Sequence, residues 1–175
     1  MDYGVFIFAT AYAMRIDELA VELEDRGFES LFQPEHTHIP ASRKTPFPAG
    51  GDLPREYSNT HDPFVSLSFA AHATKTLKVG TAVCLVPQHD PIVAAKSIAS
   101  LDLLSGGRFV FGIGAGWNVE EMENHGVEHR NRFKQMGEHV KAMKAMWTQE
   151  SASFHGEFVN FDDIWLNPKP AQSPN

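Results

Sequence analysis

The chain of 175 residues contains one cysteine, Cys84, and no apolar run long enough to cross a membrane. A single cysteine excludes an internal disulfide, which predicts a reducing, cytoplasmic environment. A membrane-spanning helix needs about 20 apolar residues, so we expect no membrane partner. Basic residues are also scarce, since 15 Lys and Arg stand against 22 Asp and Glu and the formal net charge is −7. This charge argues against nucleic acid as a partner and leaves a small-molecule substrate.

The length and composition of the chain fit one globular domain. Apolar residues make up 42% of the sequence and charged residues 21%, which are the proportions of an ordinary folded protein. A chain of 175 residues can bury about 70% of the surface that its unfolded state exposes. We therefore expect a single domain over residues 1–175.

The segment from Leu77 to Trp117 predicts a strand, a helix and a second strand. Residues 77–84 are apolar and β-branched, as in a buried strand. Asp90 and Pro91 then supply the N-cap and the first position of a helix, and Gly106-Gly107 ends it. A strand, crossover helix and strand of this length form a parallel βαβ unit.

The remaining segments continue the alternation of strands and helices, which indicates an α/β fold. Residues 39–60 contain four prolines and little periodicity, and a loop of this kind predicts a functional lid. Apolar residues from Phe133 to Trp147 recur at intervals of three and four, which predicts a buried helical stripe. Residues 165–175 predict no regular structure. The other predicted strands are 4–9, 28–32 and 108–113, the predicted helices are 15–26, 64–74, 91–104 and 131–148, and a hairpin covers 152–161.

Several of these motifs together carry a resemblance to a known family. The segments TAVCLVP, HDP, AAKSIASLDLLSGGRF and FGIGAGW resemble the bacterial luciferase-like family of flavin and deazaflavin oxidoreductases. This resemblance implies the (β/α)8 TIM-barrel fold. Because a complete barrel needs about 250 residues, we expect the chain to hold the first four β/α units, followed by the hairpin.

The resemblance also implies a function. Members of this family transfer a hydride between a flavin-type cofactor and an organic substrate. The pattern FESLFQPEHTHIP followed by HDPIVAAKSIASLDLLSGGRF is similar to the group that depends on coenzyme F420, and an FMN-dependent monooxygenase is the alternative. A further alternative is a non-catalytic barrel fragment that binds cofactor weakly. Such a fragment has open sheet edges, which favour association, and a homodimer is expected in either case.

His36 is the first candidate catalytic residue. It follows a predicted strand at the carboxyl edge, where barrel enzymes place their active sites, and histidine is a residue type suited to proton transfer near neutral pH. The resemblance implies that this histidine lies beside the cofactor ring and transfers a proton. Glu35 is expected to orient or pack rather than to react. His36 and His38 can also be interpreted as a metal-binding His-x-His pair, but the ligand set is incomplete and we predict no metal.

Two further strand ends supply candidate cofactor contacts. The resemblance places Ala82, Val83 and Cys84 behind the cofactor ring, with a non-proline cis peptide at Ala82-Val83. Cys84 has no positive neighbour and is interpreted as a small core residue rather than a nucleophile. Gly114 and Ala115 are expected to let the cofactor approach the backbone. The luciferases carry cysteine and arginine at these two positions, which argues against bioluminescence.

The remaining candidates line the predicted substrate pocket, namely Thr10, Trp117 and Asn118. The glycine run that precedes Trp117 is not a dinucleotide fingerprint, because the sixth position of that pattern is glycine or alanine and the run follows the fourth strand rather than the first. Some deazaflavin-dependent relatives carry a catalytic glutamate at the position of Trp117, which argues against a sugar-phosphate dehydrogenase. His89 precedes a helix cap and is interpreted as a surface histidine.

Overall fold

The computed structural model describes residues 1–173 and contains one main sheet, five helices and a separate hairpin. The main sheet has four parallel strands in the order β1-β2-β3-β4, and an antiparallel hairpin, β5-β6, follows the last helix. The strands are β1 (Gly4–Phe6), β2 (Ser30–Gln33), β3 (Lys78–Leu85), β4 (Phe109–Gly114), β5 (Ala152–His155) and β6 (Asn160–Ile164). The helices are α1 (Ile16–Asp25), α2 (Pro63–Ala73), α3 (Pro91–Leu104), α4 (Val119–Asn124) and α5 (Arg132–Thr148).

The two faces of the main sheet differ in burial. One register row joins Val5, Leu31, Val79 and Phe109, and these residues pack into the hydrophobic core beneath α1, α2, α3 and α5. The next row begins at Phe6, whose side chain is 55% exposed. Side chains alternate between the faces of a strand, so the helices cover one face and leave an apolar face open. This is the layer order of a barrel wall, in which helices lie outside.

The predicted helix boundaries rest on caps that the structure confirms. Asp62 accepts a hydrogen bond from the Val65 amide at 2.9 Å, and Asp90 accepts from the second and third residues of α3 at 3.0 and 2.9 Å. After α3, Gly106 adopts a φ of 69°, which glycine tolerates without steric cost. Arg108 then donates to the Ala71 carbonyl at 2.7 Å and ties the amino end of β4 to α2.

Two sequence predictions need correction, and one helix was not predicted. The segment after Trp117 forms the short helix α4, which is too brief to show periodicity in the sequence. Phe133 is 61% exposed rather than part of the buried stripe, because it lies in the first turn of α5 and packs beneath the Arg132 guanidinium instead. Strand β1 ends at Phe6, although the Ile7 amide still donates to the Phe32 carbonyl at 3.0 Å.

Other predictions agree with the fold. The hairpin is present and reaches Ile164, and residues 165–173 have no regular structure. Residues 174–175, which belong to the same prediction, lie outside the described part of the chain. Within residues 1–173, no helix combines the length and apolar character that crossing a membrane requires.

Candidate functional site

His36 lies just beyond the carboxyl end of β2 and forms a short contact with a buried carboxylate. Its Nδ1 is 2.8 Å from Oε2 of Glu121, and its side chain is 5% exposed. Glu121 is completely buried. His36 was predicted to lie at this edge, whereas Glu121, which comes from α4 and is 85 residues away in the chain, was not predicted. The structure therefore builds a carboxylate–histidine pair at the sheet edge where barrel enzymes place their active sites.

Glu121 is held from two sides. Its backbone amide donates to the side-chain oxygen of Asn118 at 3.0 Å, so Asn118 is the N-cap of α4. Its other carboxylate oxygen, Oε1, accepts from the Thr37 amide at 3.2 Å. Asn118 was predicted to line a substrate pocket, but its side chain is buried and occupied by the cap. The signal that could have indicated Glu121 is its spacing of three residues from Asn118, which is that of a capping box.

Aromatic side chains surround the His36 ring. The ring centroids of Tyr57 and Trp117 lie 5.4 and 5.7 Å from that of His36. Phe47 packs against Tyr57 at 5.2 Å, and Phe8 packs against it at 4.6 Å. Burial, with a smaller contribution from the charge of Glu56, raises the pKa of Tyr57 above its ordinary value, so its hydroxyl stays protonated at neutral pH. Trp117, a predicted pocket residue, thus lies beside the predicted catalytic residue.

The loop of residues 39–60 supplies Phe47 and Tyr57 and is tied to α4. The Thr45 amide donates to Oε1 of Glu120 at 3.0 Å, and the Thr45 hydroxyl donates to the same carboxylate. These hydrogen bonds, the hydroxyl bond first, lower the pKa of Glu120. The other end of the loop pairs with Thr10 through a single bridge at Thr60. This loop therefore covers His36, as expected of a lid.

Strand β3 contains the predicted irregularity. The Ala82-Val83 peptide bond is cis, and the pairing of β3 with β4 shifts register between Thr81 and Cys84. Val83 is 38% exposed. A Cβ added at Gly114 would lie 2.4 Å from Cγ2 of Val83, so glycine allows the two strand ends to approach closely. The structure thus brings Ala82, Val83 and Gly114 together, and their role as a cofactor surface stays a prediction.

Cys84 points into the core and lies beside a second carboxylate–histidine pair. Glu35 accepts from the Leu85 amide at 2.6 Å and lies 2.8 Å from Nε2 of His89. Burial opposes ionisation of both groups, but their hydrogen bond and mutual charge outweigh it, so the pKa of Glu35 is lowered and that of His89 is raised. Burial, followed by the charge of Glu35, raises the pKa of Cys84. His89 is therefore a half-buried ion-pair partner, and its interpretation as a surface histidine is wrong.

The predicted His-x-His pair does not converge on one point. His36 faces Glu121, whereas Nδ1 of His38 lies 2.9 Å from the Thr37 hydroxyl and Nε2 lies 2.8 Å from the Asn124 amide. In the described residues, one group of potential metal ligands lies close together, namely Glu35, Cys84 and His89, with ligand atoms within 4.8 Å of one another. Within this group, Glu35 and His89 form an ion pair with a contact distance of 2.8 Å.

Two further polar side chains near the carboxyl edge of the sheet are buried. The hydroxyl of Thr10 and both amide atoms of Gln88 have no hydrogen-bond partner among residues 1–173. A buried polar atom without a partner is unfavourable by about 1–3 kcal/mol, so such atoms indicate places where a bound molecule can complete the bonding. Thr10 was a predicted pocket residue, whereas Gln88 was not singled out. Ala115, a predicted cofactor contact, is buried.

The chain belongs to the luciferase-like monooxygenase family, whose sequence profile matches residues 1–174. It is 45% identical to an uncharacterized protein of Mycobacterium tuberculosis, covering 98% of this chain and 62% of that protein. It is 37% identical to an FMNH(2)-dependent dimethylsulfone monooxygenase of Pseudomonas putida, over 67% of this chain and 33% of the relative. With an F420-dependent glucose-6-phosphate dehydrogenase of Kineococcus radiotolerans the identity is 30%, over 90% of this chain and 44% of the relative.

Comparison with solved structures supports the same fold. The monooxygenase RslO1 from Streptomyces bottropensis matches with a TM-score of 0.82 at 23% identity, covering 99% of this chain and 51% of that structure. The chain thus has an α/β fold with a parallel sheet, similar to luciferase-like TIM-barrel enzymes. It spans between about a third and two thirds of the length of these relatives.

Proposed function

We propose that this chain belongs to an oxidoreductase that transfers a hydride between coenzyme F420 and a small organic substrate, with His36 as the group that moves the accompanying proton. The observation that carries this proposal is the His36 imidazole, which Glu121 holds by one ring nitrogen at 2.8 Å beneath the aromatic side chains of a covering loop. Family membership supports redox chemistry with a flavin-type cofactor. One named relative depends on FMNH(2) and another depends on F420.

The residues at the strand ends fit the ring of such a cofactor. Val83 presents an exposed apolar side chain against Gly114, where any larger residue would collide with it. The unpartnered hydroxyl of Thr10 offers a hydrogen bond beyond the carboxyl end of β1. Two of the predicted contacts, Cys84 and Ala115, are buried, and the side chain of Cys84 is directed into the core. A contact from Cys84 would have to come from its backbone.

When bound, a deazaflavin supplies the hydride chemistry itself, and the protein supplies orientation and proton transfer. His36 can hold or release a proton at Nε2 because its Nδ1 is engaged by Glu121. The rings of Tyr57, Phe47 and Trp117 exclude water from the imidazole, which strengthens its electrostatic interactions. The same rings favour a substrate with an apolar portion next to the reacting group.

FMN-dependent monooxygenation is the second candidate within this class. The identity of 37% to an FMNH(2)-dependent enzyme exceeds the identity of 30% to an F420-dependent one, although the F420-dependent relative aligns with more of the chain. The sequence pattern around His36 and α3 supports the deazaflavin instead. The cofactor is therefore the first quantity to measure.

A non-catalytic fragment that associates through its sheet is the candidate from another class. Strands β1 and β4 lie at the two edges of the sheet, and unpaired edges favour association with another chain. A cavity of about 390 Å³ also lies beside β4, lined in part by Phe111, Val140 and Trp147. We propose a homodimer in the cytoplasm for either class, and the mass in solution tests the dimer.

A fluorescence titration of the purified chain with F420 and with FMN tests the proposal. We expect micromolar binding of F420 that His36→Ala weakens at least tenfold, because this substitution removes a side chain beside the proposed ring site. His72→Ala is the matched control, since His72 is exposed on α2 and its removal should leave binding unchanged. Tighter binding of FMN than of F420 would favour an FMN-dependent monooxygenase instead. Binding of neither cofactor would favour the non-catalytic fragment.

A further inference from the structure

We propose that Glu121 is a positioning residue that fixes His36 in the tautomer with its proton on Nδ1, so that Nε2 is the nitrogen offered to a bound molecule. The inference about the tautomer stands on contacts within the chain. Its consequence for catalysis rests on the proposed function of His36.

The direction of the hydrogen bond between His36 and Glu121 determines the tautomer of His36. An ionised carboxylate accepts hydrogen bonds and cannot donate them. The Nδ1–Oε2 distance of 2.8 Å is that of a charge-assisted hydrogen bond. With Glu121 as a carboxylate that accepts through both oxygens, Nδ1 carries the proton, and in the neutral ring the lone pair lies on Nε2. Among the hydrogen bonds of residues 1–173, the His36 ring bonds through Nδ1, so Nε2 can accept a hydrogen bond from a ligand.

The Glu121 side chain has no alternative hydrogen-bonding arrangement. Its side chain is fully buried, and its Oε1 accepts from the Thr37 amide at 3.2 Å. A backbone amide is an obligatory donor, so the oxygen that faces Thr37 must be an acceptor. Asn118 fixes the backbone of Glu121 through the cap of α4. One carboxylate oxygen is thus committed to the backbone and the other to His36.

Replacing the Glu121 carboxylate with an amide should reverse the tautomer of His36. In Glu121→Gln, the side chain keeps one oxygen acceptor and gains one NH₂ donor. The Thr37 amide requires the oxygen, so the NH₂ group turns toward Nδ1 of His36. Nδ1 must then accept, and the proton of the neutral ring moves to Nε2. The variant has the shape of the wild-type side chain and the opposite tautomer.

For a histidine that transfers a proton through Nε2, the opposite tautomer is the unreactive one. The corresponding carboxylate-to-amide change in a serine-protease triad lowers kcat by about 10⁴-fold. Because His36 here serves one proton transfer rather than two, we expect Glu121→Gln to lower turnover by about 10²- to 10⁴-fold. Cofactor affinity should change by less than about threefold, since the ring of His36 stays in place.

The matched control lies two positions along the same helix. Glu123 is an exposed residue of α4, and Glu123→Gln makes the same chemical change without touching His36. The electrostatic effect of removing one negative charge from this end of the molecule is thereby separated from the loss of the directed hydrogen bond.

The experiment is ¹⁵N NMR of the full 175-residue chain labelled at its histidines, recorded without cofactor across a pH series, with His36 assigned by its loss in His36→Ala. We expect the neutral His36 ring to be protonated at Nδ1 in the wild type and in Glu123→Gln, and at Nε2 in Glu121→Gln. A wild-type ring protonated at Nε2 would overturn the inference, and so would a folded Glu121→Gln chain with an unchanged tautomer. If that variant does not fold, the wild-type spectrum decides alone.

This measurement also keeps the inference separate from the proposed function. An Nδ1-protonated His36 in a chain that binds neither F420 nor FMN would support the positioning role and contradict the proposed function. Binding of F420 to a chain whose His36 is protonated at Nε2 would support the function and contradict the positioning role.

Discussion

The molecule contains two carboxylate–histidine pairs with the same contact distance and different surroundings. His36 meets Glu121 at 2.8 Å, and His89 meets Glu35 at 2.8 Å. In the first pair the imidazole bonds through Nδ1 and presents Nε2 beneath a group of aromatic rings. In the second pair Nε2 is hydrogen-bonded to the carboxylate, which also accepts from the Leu85 amide. The nitrogen left free, rather than the pairing itself, distinguishes a site residue from a residue that holds strand ends together.

Removing the carboxylate of the structural pair should produce the largest loss of stability. Glu35→Ala leaves His89 and the Leu85 amide without their acceptor, and breaking a buried pair in this way lowers the free energy of unfolding by about 3 kcal/mol. Urea denaturation followed by circular dichroism measures this change. Glu29→Ala is the control, because Glu29 pairs with Lys78 at the surface and should change stability by less than about 1 kcal/mol. Equal losses in the two variants would contradict the structural role of Glu35.

Replacing Glu24, a carboxylate that accepts hydrogen bonds from backbone amides, should cause a smaller loss of stability. This loss should depend on pH. Glu24 accepts from the amides of Lys75, Thr76 and Leu77. These bonds, that of Thr76 first, lower its pKa from 4.5 to about 2 although burial opposes them. Glu24→Gln should lower the free energy of unfolding by about 1–2 kcal/mol.

The contribution of Glu24 to the free energy of unfolding depends on pH because its pKa is lowered in the folded state. The contribution is present above the unfolded value of 4.5 and is lost as the pH falls toward about 2. The difference in unfolding free energy between wild type and Glu24→Gln should therefore narrow across that acid range. A difference that stays constant down to the lowest pH would contradict the account.

Replacing His89 should cause the smallest change in stability. The contribution of His89 should be lost as the pH rises, whereas that of Glu24 is lost as the pH falls. Its pKa is raised mainly by Glu35, against the effect of burial. The resulting stability is fully present below the unfolded imidazole pKa of about 6.5 and is lost as the pH rises through the folded value. Thermal unfolding of the wild type from pH 6 upward should show this decline, and His89→Gln should lack it. A decline of equal size in His89→Gln would assign the effect to another group.

The sequence was sufficient for the order of the elements other than α4 and for part of the site. Asp62, Asp90 and the glycines after α3 mark helix ends by local chemistry, so they can be identified without tertiary information. The cis peptide at Ala82-Val83 followed from family resemblance, since no local residue type requires it.

The rest of the site depends on contacts between distant segments. Glu121 stands in a run of acidic residues that is expected to be solvated, and only the packing of α4 against the end of β2 buries it. His89 similarly appeared to be a surface residue, because its partner Glu35 lies 54 residues away. Burial of a charged residue cannot be inferred from its own neighbours in sequence.

The most direct test of the difference between the two pairs is ¹⁵N NMR of the histidine-labelled chain during a titration with F420. His36→Gln and His89→Gln assign the two rings. We expect the Nε2 resonance of His36 to shift in proportion to the bound fraction, while both nitrogens of His89 keep their positions. Saturable binding that shifts His89 and leaves His36 unchanged would contradict the assignment of His36 to the active site.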